Sequence, residues 1–174
     1  ARESERAIAT AISAATESDS PDVAASCYRL AIARMSRHDP RRLDTRLAHA
    51  DALYASGQLA AAAHAYAFVR RQVVTVDKCV HAWSREVRCL ARIGRNKAVL
   101  SRAQAALASL DFERHARHRA ELLVWIGIAA DKLGDAARAR DSFLQAVRDF
   151  DELDDSEGRG RALNCYPAGA WRRH

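Results

Sequence analysis

Residues 122–150 read LLVWIGIAADKLGDAARARDSFLQAVRDF, two helix patterns hinged on one glycine. Before Gly134, Leu123, Ile126, Gly127 and Ala130 recur at three or four residues; after it, Ala139, Phe143 and Ala146 keep the same step. That period belongs to amphipathic helices, and glycine at the joint supplies the left-handed backbone that ends the first of them. Two helices can cross closely only where their facing side chains are small. Gly127 is therefore expected to face Ala139, and a bulkier residue at 127 to overpack the contact.

The same arrangement recurs toward the N-terminus. Gly57 and Gly94 precede Gly134 at spacings of 37 and 40 residues, and each glycine is followed by an Ala-rich helix pattern. An earlier turn, Asp19-Ser20-Pro21, replaces glycine by a serine expected to cap a helix that opens on proline. The predicted helices run over about 3–17, 21–37, 42–55, 59–74, 77–93, 96–110, 113–133 and 136–153, with a short ninth over 159–166. Asp39-Pro40 separates the second from the third, Val73-Val74 frays the end of the fourth, Asp77 caps the fifth and Asp111 marks a turn.

Repetition of a helix pair with a turn glycine, then Ala, an aromatic and Ala along the second helix, resembles the tetratricopeptide repeat. Ala139, Phe143 and Ala146 carry it best; Ala62 and Tyr66, then Ala24, Tyr28 and Ala31, carry it in earlier repeats, whereas Val69, Val87 and Val99 are bulkier than the family pattern. The resemblance implies an all-α, right-handed α-solenoid of antiparallel helix pairs forming one domain over residues 1–174. Its four repeats would cover about 5–39, 42–77, 78–111 and 113–153, and the turn-to-turn spacings of 37 to 40 residues exceed the standard 34. Residues 154–174 would form a capping segment, with Leu163 covering the last repeat and no order after Pro167. Isolated pairs leave an apolar face bare, so neighbours stabilise one another.

Composition agrees with helix and with little else. The chain is 49% hydrophobic but only 6% aromatic, so burial relies on alanine. Of its 28 cationic residues 25 are arginine, spread along every segment and interleaved with acids, as in Arg85-Glu86 and around Asp141. Such diffuse charge reads as a solvated face, and direct nucleic-acid binding is not expected despite the net charge of +6. Cys27, Cys79, Cys89 and Cys165 form no CxxC pair, which fits a reduced, cytoplasmic chain without a disulfide framework. No run of 18 apolar residues marks a membrane span. His115 and His118 lack a third ligand, and the acidic run from Asp149 to Glu157 lacks a calcium-loop order, reading instead as a cap for the ninth helix. Neither a metal, a cofactor nor a catalytic constellation is expected, so the chain reads as a binding protein and not an enzyme.

In the family the first helix of each pair lines the concave face. Carried over, the partner-binding groove falls on Asp51 and Tyr54, then Ser84, Arg88 and Arg92, then Glu121, Val124, Ile128, Asp131 and Lys132. Trp125 lies just off the core positions as an aromatic anchor. Arg88 and Arg92, four apart, share a helix face and with Lys132 suit an acidic segment of a protein or peptide. The expected function is a bacterial protein–protein interaction module. Two other readings stand beside it: the sensor or oligomerisation domain of a transcription regulator, and a secretion-type chaperone. The start at Ala1 fits a chain that is processed or cut from a longer one.

Overall fold

The structure is a computed structural model that describes residues 2–72, 75–109 and 115–166. It is all-helical there. Nine helices follow one another: α1 Arg2–Glu17, α2 Pro21–Arg34, α3 Arg42–Ala55, α4 Leu59–Arg70, α5 Val76–Arg92, α6 Asn96–Ser109, α7 Ala116–Lys132, α8 Ala136–Glu152 and α9 Ser156–Cys165. Neighbouring helices pack in sequence order, the arrangement of a solenoid-like all-α fold. Val73-Val74, the Asp111 turn with the expected helix start at Glu113, and the segment after Pro167 lie outside the described residues.

The glycine turns are the joints that the sequence suggests. Gly57, Gly94 and Gly134 have φ of 78°, 76° and 82°, a region where a Cβ would be strained. At each, the next residue's N–H returns to the carbonyl five residues back: Gln58 to Leu53, Arg95 to Leu90 and Asp135 to Ala130, all at 2.9 Å. This closes the carbonyl end of the preceding helix. The α8–α9 turn repeats the device without glycine. Asp154 takes φ 53°, and the Asp155 N–H reaches the Phe150 carbonyl at 2.9 Å. Asp155 then accepts from the Gly158 N–H at 2.8 Å, so α9 begins at Ser156, three residues before the expected Arg159.

Two helix starts differ from expectation. Ser20 occupies the position before Pro21 in extended geometry, but its side chain makes no capping bond; Ser18 Oγ instead accepts from the Ser20 N–H at 3.2 Å. Helix α2 ends at Arg34, three residues early, because Met35 turns extended. Arg42 closes that end, its Nη1 donating to the carbonyls of Ile32 at 2.7 Å and Met35 at 2.6 Å. Asp77 lies within the first turn of α5, not ahead of it.

The chain divides into two compact units, Ala1–Ala82 and Trp83–His174. In the N-terminal unit the interior is built from Ile8, Ala31 and Met35 where α1 meets α2, and from Ala50, Ala62, Tyr66 and Val69 on α3 and α4. Alanines at these crossings leave little room between backbones, so close approach substitutes for bulk. Tyr66 is the large buried ring, and its hydroxyl donates to Asp51 at 2.6 Å.

In the C-terminal unit α8 carries two buried phenylalanines, and each meets a glycine. A Cβ at Gly127 would lie 2.8 Å from the Phe143 ring, so it is Phe143, and not the expected Ala139, that sets the need for glycine. Ala139 packs in the same cluster with Ala130 and Tyr166. A Cβ at Gly158 would overlap the Phe150 ring. The acidic residue Asp149 is not a cap on the surface. It is buried in α8, where Arg119 of α7 donates to both its oxygens at 2.9 and 2.7 Å and Gln145 adds a third bond at 2.9 Å. Helix α9 covers α7 and α8 through Ala162 and Tyr166, while Leu163 is only half-buried.

Candidate functional site

The proposed groove residues stand on α3, α5 and α7, the first helices of the second, third and fourth pairs. Their surroundings differ. In the N-terminal unit Asp51 and Tyr54 are half-buried on α3. Asp51 is engaged internally: it accepts from the Tyr66 hydroxyl, and its Oδ1 lies 3.0 Å from His81 Nε2. The Tyr66 and His81 rings meet edge-on at 6.1 Å. A residue held in this way organises the helices around it more than it offers itself to a ligand.

In the C-terminal unit Arg88 and Arg92 are exposed on α5, one turn apart. Ser84, a turn earlier, is half-buried, and its hydroxyl oxygen is buried without a hydrogen-bond partner among the described residues. Glu86 is buried and pairs with Arg102 of α6 at 3.2 Å. Cys89 is buried too. Burial pushes its thiol up to about 11, against the opposing pull of Arg85, Arg92 and Arg88, so it is protonated at neutral pH and poorly nucleophilic.

On α7, Asp131 and Lys132 are exposed in the last turn. Trp125 is half-buried. Val124 packs against both aromatic clusters, and Ile128 against the one around Phe143 and Tyr166. Glu121 lies 3.8 Å from Arg161 of α9. The α7 face thus splits along its length. Its first half is committed to the α8–α9 packing, and its final turn is open and charged.

A second feature was not legible in the sequence. In the N-terminal unit a depression of about 520 Å³ lies among Arg37 and Asp39 of the α2–α3 connection, Arg42, Leu43 and Arg46 of α3, and Phe68 and Gln72 near the end of α4. The Arg46 guanidinium sits 4.3 Å above the Phe68 ring centroid. Burial, and then the charge on Arg42, hold its pKa below the ordinary arginine value. Asp39 is already taken: Arg41 donates to it through Nε at 3.1 Å, Nη2 at 2.8 Å and its backbone N–H at 2.9 Å. Phe68 lies 22 residues beyond Arg46 in the chain, so no local spacing announces their meeting.

His115 and His118 meet edge-on, with ring centroids 6.1 Å apart. Among the described residues no group of three or more His, Cys, Asp or Glu is placed to hold a metal ion, and no helix is long and apolar enough to cross a membrane. Compared with protein-family models and with curated proteins, the chain matches none.

Proposed function

We propose that the chain is a tetratricopeptide-like interaction module that holds an acidic segment of a partner protein or peptide against α5 and α7, the first helices of the pairs in its C-terminal unit. Sequential helix packing with one turn geometry at Gly57, Gly94 and Gly134 supports the repeat reading. The observation that carries the choice of partner is the exposed pair Arg88 and Arg92 on one face of α5. Two planar guanidinium groups one turn apart match successive carboxylates of an acidic peptide. Lys132 adds a third exposed cation from α7. A bacterial cytoplasmic location belongs to the same proposal, and the four free cysteines agree with it.

The test is a titration of a fluorescent Asp/Glu-rich peptide, followed by anisotropy, beside a neutral peptide of equal length. The acidic peptide is expected to bind with an affinity that falls as salt is raised. Reversing both charges, Arg88→Glu with Arg92→Glu, is expected to abolish that binding and leave helicity intact. Undiminished binding by the folded double variant would remove the site assignment. Preference for duplex DNA over the peptide would remove the partner class.

A further inference from the structure

We propose that the depression in the N-terminal unit binds the phosphoryl group of a small organic phosphate, with Arg37, Arg42 and Arg46 as its cationic wall and Leu43 and Phe68 beside the organic part. The depression shares no residue with the groove, and its ligand is independent of peptide binding.

Charge is the first argument. Three arginines and one carboxylate line the cavity, and the carboxylate, Asp39, is occupied by Arg41, which in turn also binds Glu5 at 2.7 Å. Among the described residues neither Arg37 nor Arg46 has a carboxylate partner. The fold therefore gathers three arginines around one carboxylate that Arg41 already holds, an excess of positive charge that a dianion would offset.

Preorganisation is the second. Arg42 is anchored through Nη1 to the α2 carbonyls, leaving its Nε and Nη2 without a partner among the described residues. Arg46 is held over Phe68 and partly withdrawn from water. Guanidinium groups fixed in this way present planar donor forks that suit phosphate oxygens, at a smaller entropic loss than free side chains. Burial, followed by the charges of Arg29 and Arg46, holds the pKa of the neighbouring His49 below its ordinary value.

Size and lining are the third. A volume of about 520 Å³ exceeds what an oxyanion alone needs and lies within the range of small-molecule sites. Leu43 and Phe68 supply apolar surface and Gln72 an amide, so the ligand is expected to carry an apolar or aromatic group beside its phosphate.

Calorimetric titration of the whole chain with phenyl phosphate tests the inference, with inorganic phosphate as a second probe. Phenyl phosphate is expected to bind saturably at submillimolar concentration, roughly tenfold more tightly than inorganic phosphate. Equal affinities would overturn the organic-phosphate assignment, since Leu43 and Phe68 would then contribute nothing. Arg46→Gln is expected to weaken binding by about tenfold or more, and Arg46→Lys to restore it only in part, because lysine keeps the charge but not the planar fork. Arg37 is exposed and makes no side-chain hydrogen bond or ion pair among the described residues, so Arg37→Gln is expected to spare the fold and weaken binding by about threefold. Arg140→Gln, which removes the same charge from α8, is expected to change nothing. The proposal is overturned by the absence of saturable heat up to about 10 mM, or by undiminished binding in Arg37→Gln and in folded Arg46→Gln. Equal losses in Arg140→Gln would also overturn it, since they would reduce the effect to net charge.

Discussion

The two compact units use different means to hold helices together. In the C-terminal unit, shape dominates: Phe143 and Phe150 press on Gly127 and Gly158, and the buried Asp149 is gripped by both arms of Arg119. In the N-terminal unit the interior is mostly alanine around Tyr66, and the polar link runs from the Tyr66 hydroxyl through Asp51 to His81. Asp51 has a side chain 43% exposed, whereas that of Asp149 is fully buried. The lesson concerns tolerance. A half-exposed polar link can exchange a lost partner for water, but a buried carboxylate or a ring seated on glycine has no substitute.

The largest effect is expected at the buried pair. Arg119→Met leaves the Asp149 carboxylate enclosed without its cation and is expected to cost about 3–5 kcal/mol in urea unfolding. Asp149→Asn keeps a polar group beside an Arg119 side chain that is itself 38% exposed, and is expected to cost less, about 1–3 kcal/mol. The reverse order would mean that the guanidinium, and not the carboxylate, is the trapped charge.

Next comes the glycine seat. Alanine in place of Gly127 would normally favour the helix by roughly 0.5–1 kcal/mol, but here the added methyl enters the buried Phe143 ring. A net loss of about 1–3 kcal/mol is expected, read as a lower midpoint in thermal unfolding. A gain in stability would show that the ring can step aside.

Tyr66→Phe is the matched probe of the N-terminal unit. It removes one donor from Asp51, which keeps His81 and solvent, and is expected to cost only about 0.5–1.5 kcal/mol by denaturant titration. A loss equal to that of Arg119→Met would erase the contrast between the units.

The smallest effect is confined in pH. Burial and the nearby Arg29 and Arg46 place the folded pKa of His49 below its ordinary 6.5, so the unfolded chain takes up the proton first. Stability is therefore expected to be complete above the ordinary value and to fall as pH drops through it toward the folded value. His49→Gln is expected to flatten that part of the stability profile. An unchanged slope in the variant would assign the pH response to another group.

Helices and joints were largely legible because their causes are local. Positive φ at Gly57, Gly94 and Gly134 requires the one residue that accepts it without strain, and the apolar step on either side names the helices. The α8–α9 joint was missed where Asp154 adopts that backbone in place of glycine, so the ninth helix was expected to begin too late. Asp149 reads with its acidic neighbours because nothing nearby in sequence marks it; its partner Arg119 is thirty residues away. The Arg46–Phe68 stack depends likewise on two helices meeting. In the groove, the exposed positions of Arg88, Arg92 and Lys132 agree with a helical surface pattern, whereas the internal engagement of Asp51 follows from a contact that spacing cannot reveal.

Asp149 and Phe150 are consecutive, yet one holds α7 through Arg119 and the other underlies Gly158 of α9. A single turn near the end of α8 thus fastens both flanking helices. Opening that turn frees the amides of all three together, so α7, α8 and α9 should surrender their protons to deuterated solvent at a common rate, as one cooperative block.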